Sequence, residues 1–160
     1  MLDVLIRGGW VADGTGNPRY PADVAIAGDR IVDVGRLEGA TAERVIDATG
    51  KIVCPGFVDA HSHSDWSLFA NPTGESTIRQ GVTTEVVGMC SFSQAPLRPG
   101  AEELVRGWAG GIGASLDLGW QSFAQYLDAL RSIRPAVNVA HFVGHGALRI
   151  AAMEIGRAHV

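Results

Sequence analysis

The sequence predicts an α/β protein preceded by a small β-rich segment. Short apolar runs, broken by glycine and aspartate, fill residues 1–54. From Phe57 onward, strand-like runs alternate with helical patterns, which argues for a parallel sheet with covering helices. His61, His63, Cys90 and His145 each lie just beyond a predicted strand, at the C-terminal strand ends where such folds carry their chemistry.

In the first segment, Val4-Leu5-Ile6 is apolar and leads into Gly8-Gly9, which reads as a turn, and Trp10-Val11 forms another short piece. Residues 13–18 are a loop by composition. Residues 22–27 and 30–34 flank a two-residue Gly28-Asp29 link, the pattern of a hairpin with a primed turn. Val45-Ile46-Asp47 and Ile52-Val53 add two short strands. In the second part, 57–60 is the first strand. Residues 72–80 read as a helix with Asn71 as N-cap and Pro72 at its first position. A second strand spans 83–87 and a short helical stretch 101–107, broken by Gly110-Gly111-Ile112-Gly113. Phe123, Tyr126, Leu127 and Leu130 follow helical spacing within a helix over 120–133, stopped by Pro135, and 137–143 is the third strand.

The chain has 160 residues, 46% hydrophobic and 19% charged, enough to bury a core. A net charge of −4 without a basic run argues against nucleic acid as a partner. The N-terminus has no signal-peptide pattern, and no run of about 18 apolar residues predicts a membrane span. The cytoplasm is the default location. Cys54 and Cys90 are too few and too differently placed for a disulfide framework, although a bridge between them stays open.

Val53-Cys54-Pro55-Gly56-Phe57-Val58-Asp59-Ala60-His61-Ser62-His63-Ser64-Asp65 organises the rest. If the strand continues through it, His61 and His63 project to one side, because side chains at i and i+2 share a face. Two neutral imidazoles side by side suit a divalent metal, zinc first. Cys90 follows the next strand and can face the same mouth; taken alone it reads first as a small buried hydrophobe, and the His61–His63 pair one strand earlier turns the reading toward a ligand, whereas Cys54 is read as such a buried residue. Asp65 either hydrogen-bonds a metal-bound histidine or caps the following segment, and Asp59 is open in the same way. His145 either lines the substrate mouth or holds a loop. His141 is read as structural, and Trp66 and Phe69 as core.

The stretch 55–63 resembles the first-strand signature of the amidohydrolase superfamily. Gly81-Val82-Thr83-Thr84-Glu85-Val86-Val87-Gly88-Met89-Cys90 resembles the N-acyl-D-amino-acid deacylases, or D-aminoacylases, and Val143-Gly144-His145-Gly146-Ala147-Leu148-Arg149 is a third match. The resemblance implies the start of a (β/α)8 metal-dependent hydrolase barrel over 55–153, after part of a β-sandwich over 1–54. It implies zinc as cofactor, with His61, His63 and Cys90 as ligands. It also implies a small-molecule N-acyl amino acid as substrate, and further ligands and a general base from later strands. Only about three barrel strands are expected here, so the 160 residues alone are expected to fold poorly and to be inactive. The alternatives are a dihydroorotase- or hydantoinase-like enzyme, against which the setting of Cys90 argues, and a non-catalytic module derived from the barrel. Residues 154–160 are expected to be a non-native tail. Ile155-Gly156-Arg157-Ala158-His159-Val160 back-translates to the start of a common sequencing adapter, so His159 is set aside.

Overall fold

The computed structural model describes residues 1–108, 110 and 117–153; the predicted break at 111–113 and the predicted tail lie outside them. The chain divides into two units, Met1–Pro55 and Gly56–Val160.

The first unit is a mixed five-stranded sheet. Its strands are β1 (Leu2–Val11), β2 (Tyr20–Ala27), β3 (Arg30–Gly35), β4 (Ala42–Asp47) and β5 (Ile52–Val53). The order is β3-β2-β1-β4, with β5 also pairing β1. β1–β2 and β2–β3 are antiparallel; β4 and β5 run parallel to β1. Val11, Ala22 and Val24 form the buried centre of one face, with Ile6, Ile26 and Val53 against them. The expected turn at Gly8-Gly9 is instead an irregularity inside one long strand, where the register shifts between Ile6 and Gly9. Gly8 adopts φ +74°, and its N–H donates to Asp23 Oδ1 at 2.8 Å. A Cβ on Gly9 would lie 2.6 Å from Val53 Cγ2, so the close approach of β5 requires glycine there. The hairpin forms as predicted: Gly28 has φ +59°, and Asp3 accepts its N–H.

The second unit holds β6 (Phe57–Asp59), β7 (Val82–Val87) and β8 (Asn138–His141), a parallel sheet in the order β6-β7-β8. Its helices are α1 (Glu75–Ile78), α2 (Glu102–Trp108), α3 (Phe123–Ser132) and α4 (His145–Ala152). Trp66, Leu68, Leu97, Val105, Trp120 and Tyr126 lie at the centre of its core, with Phe69 packed against them, as expected for Trp66 and Phe69.

The predicted 72–80 helix is only one turn long. Asn71 is not its cap: Asn71 Oδ1 accepts the Thr73 hydroxyl at 2.6 Å, and Gly74, at φ 50°, is the residue before the helix. α3 starts at Phe123, where the apolar spacing begins, rather than at 120 as predicted, because Ser122 and Gln125 form a reciprocal capping box. The Ser122 hydroxyl accepts the Gln125 N–H at 3.2 Å, and Gln125 Oε1 accepts the Ser122 N–H at 3.0 Å. Trp120, predicted inside the helix, is buried ahead of it and donates its indole N–H to the Gln94 carbonyl. α4 was not anticipated; it buries Ala147 and Ile150.

Ser122→Ala removes half of the capping box and is expected to lower stability by about 1 kcal/mol. Chemical denaturation checks this, and an unchanged midpoint would show that the box contributes nothing.

Candidate metal centre

Parallel pairing brings the exits of β6 and β7 to the same sheet edge, since Val58 pairs with Thr84 and Asp59 with Glu85. β6 itself stops at Asp59, one residue short of the predicted end, so His61 and His63 lie beyond it and strand alternation does not set their direction. A turn aims them instead. Asp59 Oδ1 accepts the His61 N–H at 3.1 Å, and the Ser62 N–H donates to the Val86 carbonyl at 2.9 Å. The two rings lie edge-on, with centroids 5.6 Å apart. Asp59 thus makes a backbone turn.

Cys90 sits three residues beyond β7. Its backbone is left-handed at φ 55°, and Ser91 follows at φ 70°. Two consecutive non-glycine residues there carry strain on the order of 1–3 kcal/mol each, which the surroundings must hold. The Cys90 thiol lies 3.2 Å from His61 Nε2. The donor atoms of His61, His63 and Cys90 all fall within 4.8 Å of one another, and all three residues are solvent-exposed. Cys54 is exposed rather than buried as predicted, and both cysteines are free thiols.

This donor set fits zinc. Bonds of about 2.0–2.1 Å to nitrogen and about 2.3 Å to sulfur, in a tetrahedron, require donors roughly 3.5 Å apart. Small side-chain rotations would close the group on an ion. Among the described residues, the group gathers no carboxylate.

Asp65 is fully buried two residues beyond His63, with its carboxylate turned toward His141 rather than toward the exposed histidines. Its Oδ2 lies 3.6 Å from His141 Nε2, and neither oxygen has a hydrogen-bond partner of good geometry among the described residues. Burial pushes its pKa up to about 7; the nearby backbone N–H groups of Asp65 and Trp66 oppose this only partly, and buried Glu85 adds to it. Burial also lowers the pKa of His141 and raises that of Tyr126. His141 Nδ1 lies 2.6 Å from the Phe142 carbonyl and must donate to it. In the neutral ring Nε2 then accepts the Tyr126 hydroxyl, 2.9 Å away. Nε2 then carries no proton to give Asp65, which favours a protonated Asp65 over an ion pair. His141 is structural, as expected.

Two polar residues escaped the sequence reading. Glu85 sits buried inside β7 and accepts the Ser64 hydroxyl. Gln94, also buried, donates its amide to the Asp65 carbonyl. A charged residue within a β-branched run was the only signal for Glu85. His145 opens α4, exposed and outside the His61–His63–Cys90 group.

The amidohydrolase family model matches residues 44–158. The chain belongs to the amidohydrolase family. It is 45% identical over 153 residues to the N-acyl-D-glutamate deacylase of Alcaligenes xylosoxydans xylosoxydans, covering 95% of this chain and 30% of that protein. The crystal structure of N-acyl-D-glutamate deacylase from Bordetella bronchiseptica is a complex with zinc and a phosphonate mimic of the tetrahedral intermediate. It aligns at TM-score 0.84 and 41% identity, over 96% of this chain and 31% of that one. A D-aminoacylase structure addressing the role of a binuclear metal centre aligns at TM-score 0.83 and 43% identity, over 96% and 32%. This amidohydrolase chain therefore spans about a third of the length of these relatives. Among its described residues, no helix is long and apolar enough to cross a membrane.

In the metal-free protein, Asp65 makes stability depend on pH. Below about 4 its carboxyl is protonated in both the folded and unfolded states. From there to about 7 the unfolded chain releases the proton and the folded chain keeps it, so stability falls as pH rises, then levels off. The loss is at most about 4 kcal/mol. Asp65→Asn is expected to flatten this slope in pH-dependent denaturation; an unchanged slope would remove Asp65 as its source.

Proposed function

We propose that this chain contributes His61, His63 and Cys90 to the zinc site of an N-acyl-D-amino-acid deacylase. Such an enzyme hydrolyses an N-acyl-D-amino acid to a carboxylate and a D-amino acid. The observation that carries the reading is the meeting of two imidazoles and one thiol at the exits of adjacent parallel strands. Kinship to a deacylase at 45% identity supports the substrate class. On this reading β6, β7 and β8 are the first three strands of a (β/α)8 barrel, and the N-terminal sheet is part of a β-sandwich. Two unpaired cysteines agree with a cytoplasmic setting.

Zinc, when bound, supplies a Lewis acid and lowers the pKa of a coordinated water. The chain's own part is to hold that ion's place. Neutral imidazoles of His61 and His63 offer nitrogen lone pairs, and Cys90 offers sulfur as a thiolate. Their exposure leaves room for a substrate carbonyl. Since the chain spans about a third of its relatives, further ligands and the general base that moves the proton to the leaving amine belong to residues outside this sequence. The 160 residues alone are therefore expected to show no turnover.

In the full-length protein that carries this sequence, Cys90→Ala is expected to lower both bound zinc and hydrolysis of N-acetyl-D-amino acids. The loss should exceed the roughly 10–100-fold typical of removing an outer-sphere partner. Metal analysis and amine release measure the two. Unchanged zinc and rate would take Cys90 out of the site.

A further inference from the structure

We propose that Ser93, Gly144 and Gly146 form a latch that sets the position of the Cys90 thiol. This gives the third motif, Val143-Gly144-His145-Gly146, a role as a seat for the Cys90 loop. The inference rests on the zinc-site reading and adds to it the residues that position one ligand.

Cys90 and Ser91 hold left-handed backbone that neither side chain favours; the Phe92 N–H closes the turn on the Met89 carbonyl at 2.9 Å, and contacts from outside the loop hold that turn in place. Two contacts from the segment after β8 do so. The Gly146 N–H donates to the Ser91 carbonyl at 3.0 Å. The Gly144 N–H donates to the Ser93 hydroxyl at 3.0 Å, and that hydroxyl donates to the Ala95 carbonyl at 2.6 Å. Ser93 is fully buried, so both bonds are shielded from water.

The glycines serve closeness rather than backbone conformation. Gly144 has φ −64° and ψ 131°, open to any residue, and Gly146 lies within α4. Yet a Cβ on Gly144 would overlap the Ser91 carbonyl, and one on Gly146 would lie 2.9 Å from the same oxygen. On the other side, a Cβ on Gly88 would overlap the Phe142 carbonyl. Backbone therefore rests on backbone around Cys90, and the thiol's reach toward His61 depends on it.

Gly146→Ala is the sharpest test, because alanine is better tolerated than glycine in a helix while its methyl pushes on the Ser91 carbonyl. Cobalt(II) serves as probe in the full-length protein, since a thiolate ligand gives it a charge-transfer absorption band. Cobalt affinity and band intensity would be measured for wild type, Gly146→Ala, Ser93→Ala, Cys90→Ala and Val105→Ala. Val105 is buried in the core, makes none of the latch hydrogen bonds and controls for lost stability. The expected result is a roughly 10–100-fold weaker affinity and a reduced thiolate band in Gly146→Ala and Ser93→Ala. Val105→Ala should retain both. Cys90-dependent binding that Gly146→Ala leaves unchanged would overturn the latch alone. Wild-type protein that binds no cobalt, or binds it equally after Cys90→Ala, would overturn the zinc-site reading and the latch with it.

Discussion

The parallel register of β6 on β7 is the constraint from which the candidate site follows. Parallel neighbours end on the same edge of a sheet, so their exit loops rise side by side. The bond from the Ser62 N–H to the Val86 carbonyl extends that pairing past the end of β6. It anchors the residue between the two histidines against the strand that leads to Cys90. A slip of one residue would exchange Glu85 and Val87 for Thr84 and Val86 on the buried face, and His61 would lose its alignment with the Cys90 loop.

Beneath the exposed donors lies an unusual amount of buried polarity. Asp65, Glu85, Ser93 and Gln94 are all shielded from solvent within the same unit. Burying such groups is costly unless they are paired, and most of them are paired with the loops that carry the candidate ligands. Glu85 holds Ser64, Gln94 holds the Asp65 carbonyl, and Ser93 holds Gly144. An apolar layer would pack as well, yet it could not tie three loops together at defined backbone atoms. The exceptions among the described residues are Gln94 Oε1, which has no hydrogen-bond partner, and the Asp65 carboxyl, which faces His141 without a good hydrogen bond and takes up a proton instead.

Much of this was legible in the sequence. β-branched runs marked β6, β7 and β8 to within a few residues, and Gly28-Asp29 marked the hairpin. His61, His63 and Cys90 were picked out together, and they do come together. The misreadings share a cause. Gly8-Gly9 looks like a turn, but whether a glycine pair ends a strand depends on a distant neighbour, here Val53. Gly144 and Gly146 were matched only as part of a motif, and their reason lies in the distant Ser91 carbonyl. Convergence of the histidines was expected from strand alternation and arises from an Asp59 turn. Asp65 offered two local roles, and its partner, His141, lies two strands away. Periodicity reports on one element at a time, while these features are set by contacts between elements. The Ser122–Gln125 box was local and readable, but the helix was expected to start at Trp120, ahead of it.

The central claim is that one thiol and two imidazoles of this chain hold a single ion. Zinc-edge X-ray absorption on the zinc-loaded full-length protein tests it most directly. The expected shell has one sulfur at about 2.3 Å alongside nitrogen or oxygen at about 2.0–2.1 Å, with outer-shell imidazole scattering. A shell of nitrogen and oxygen alone, without sulfur, would contradict it.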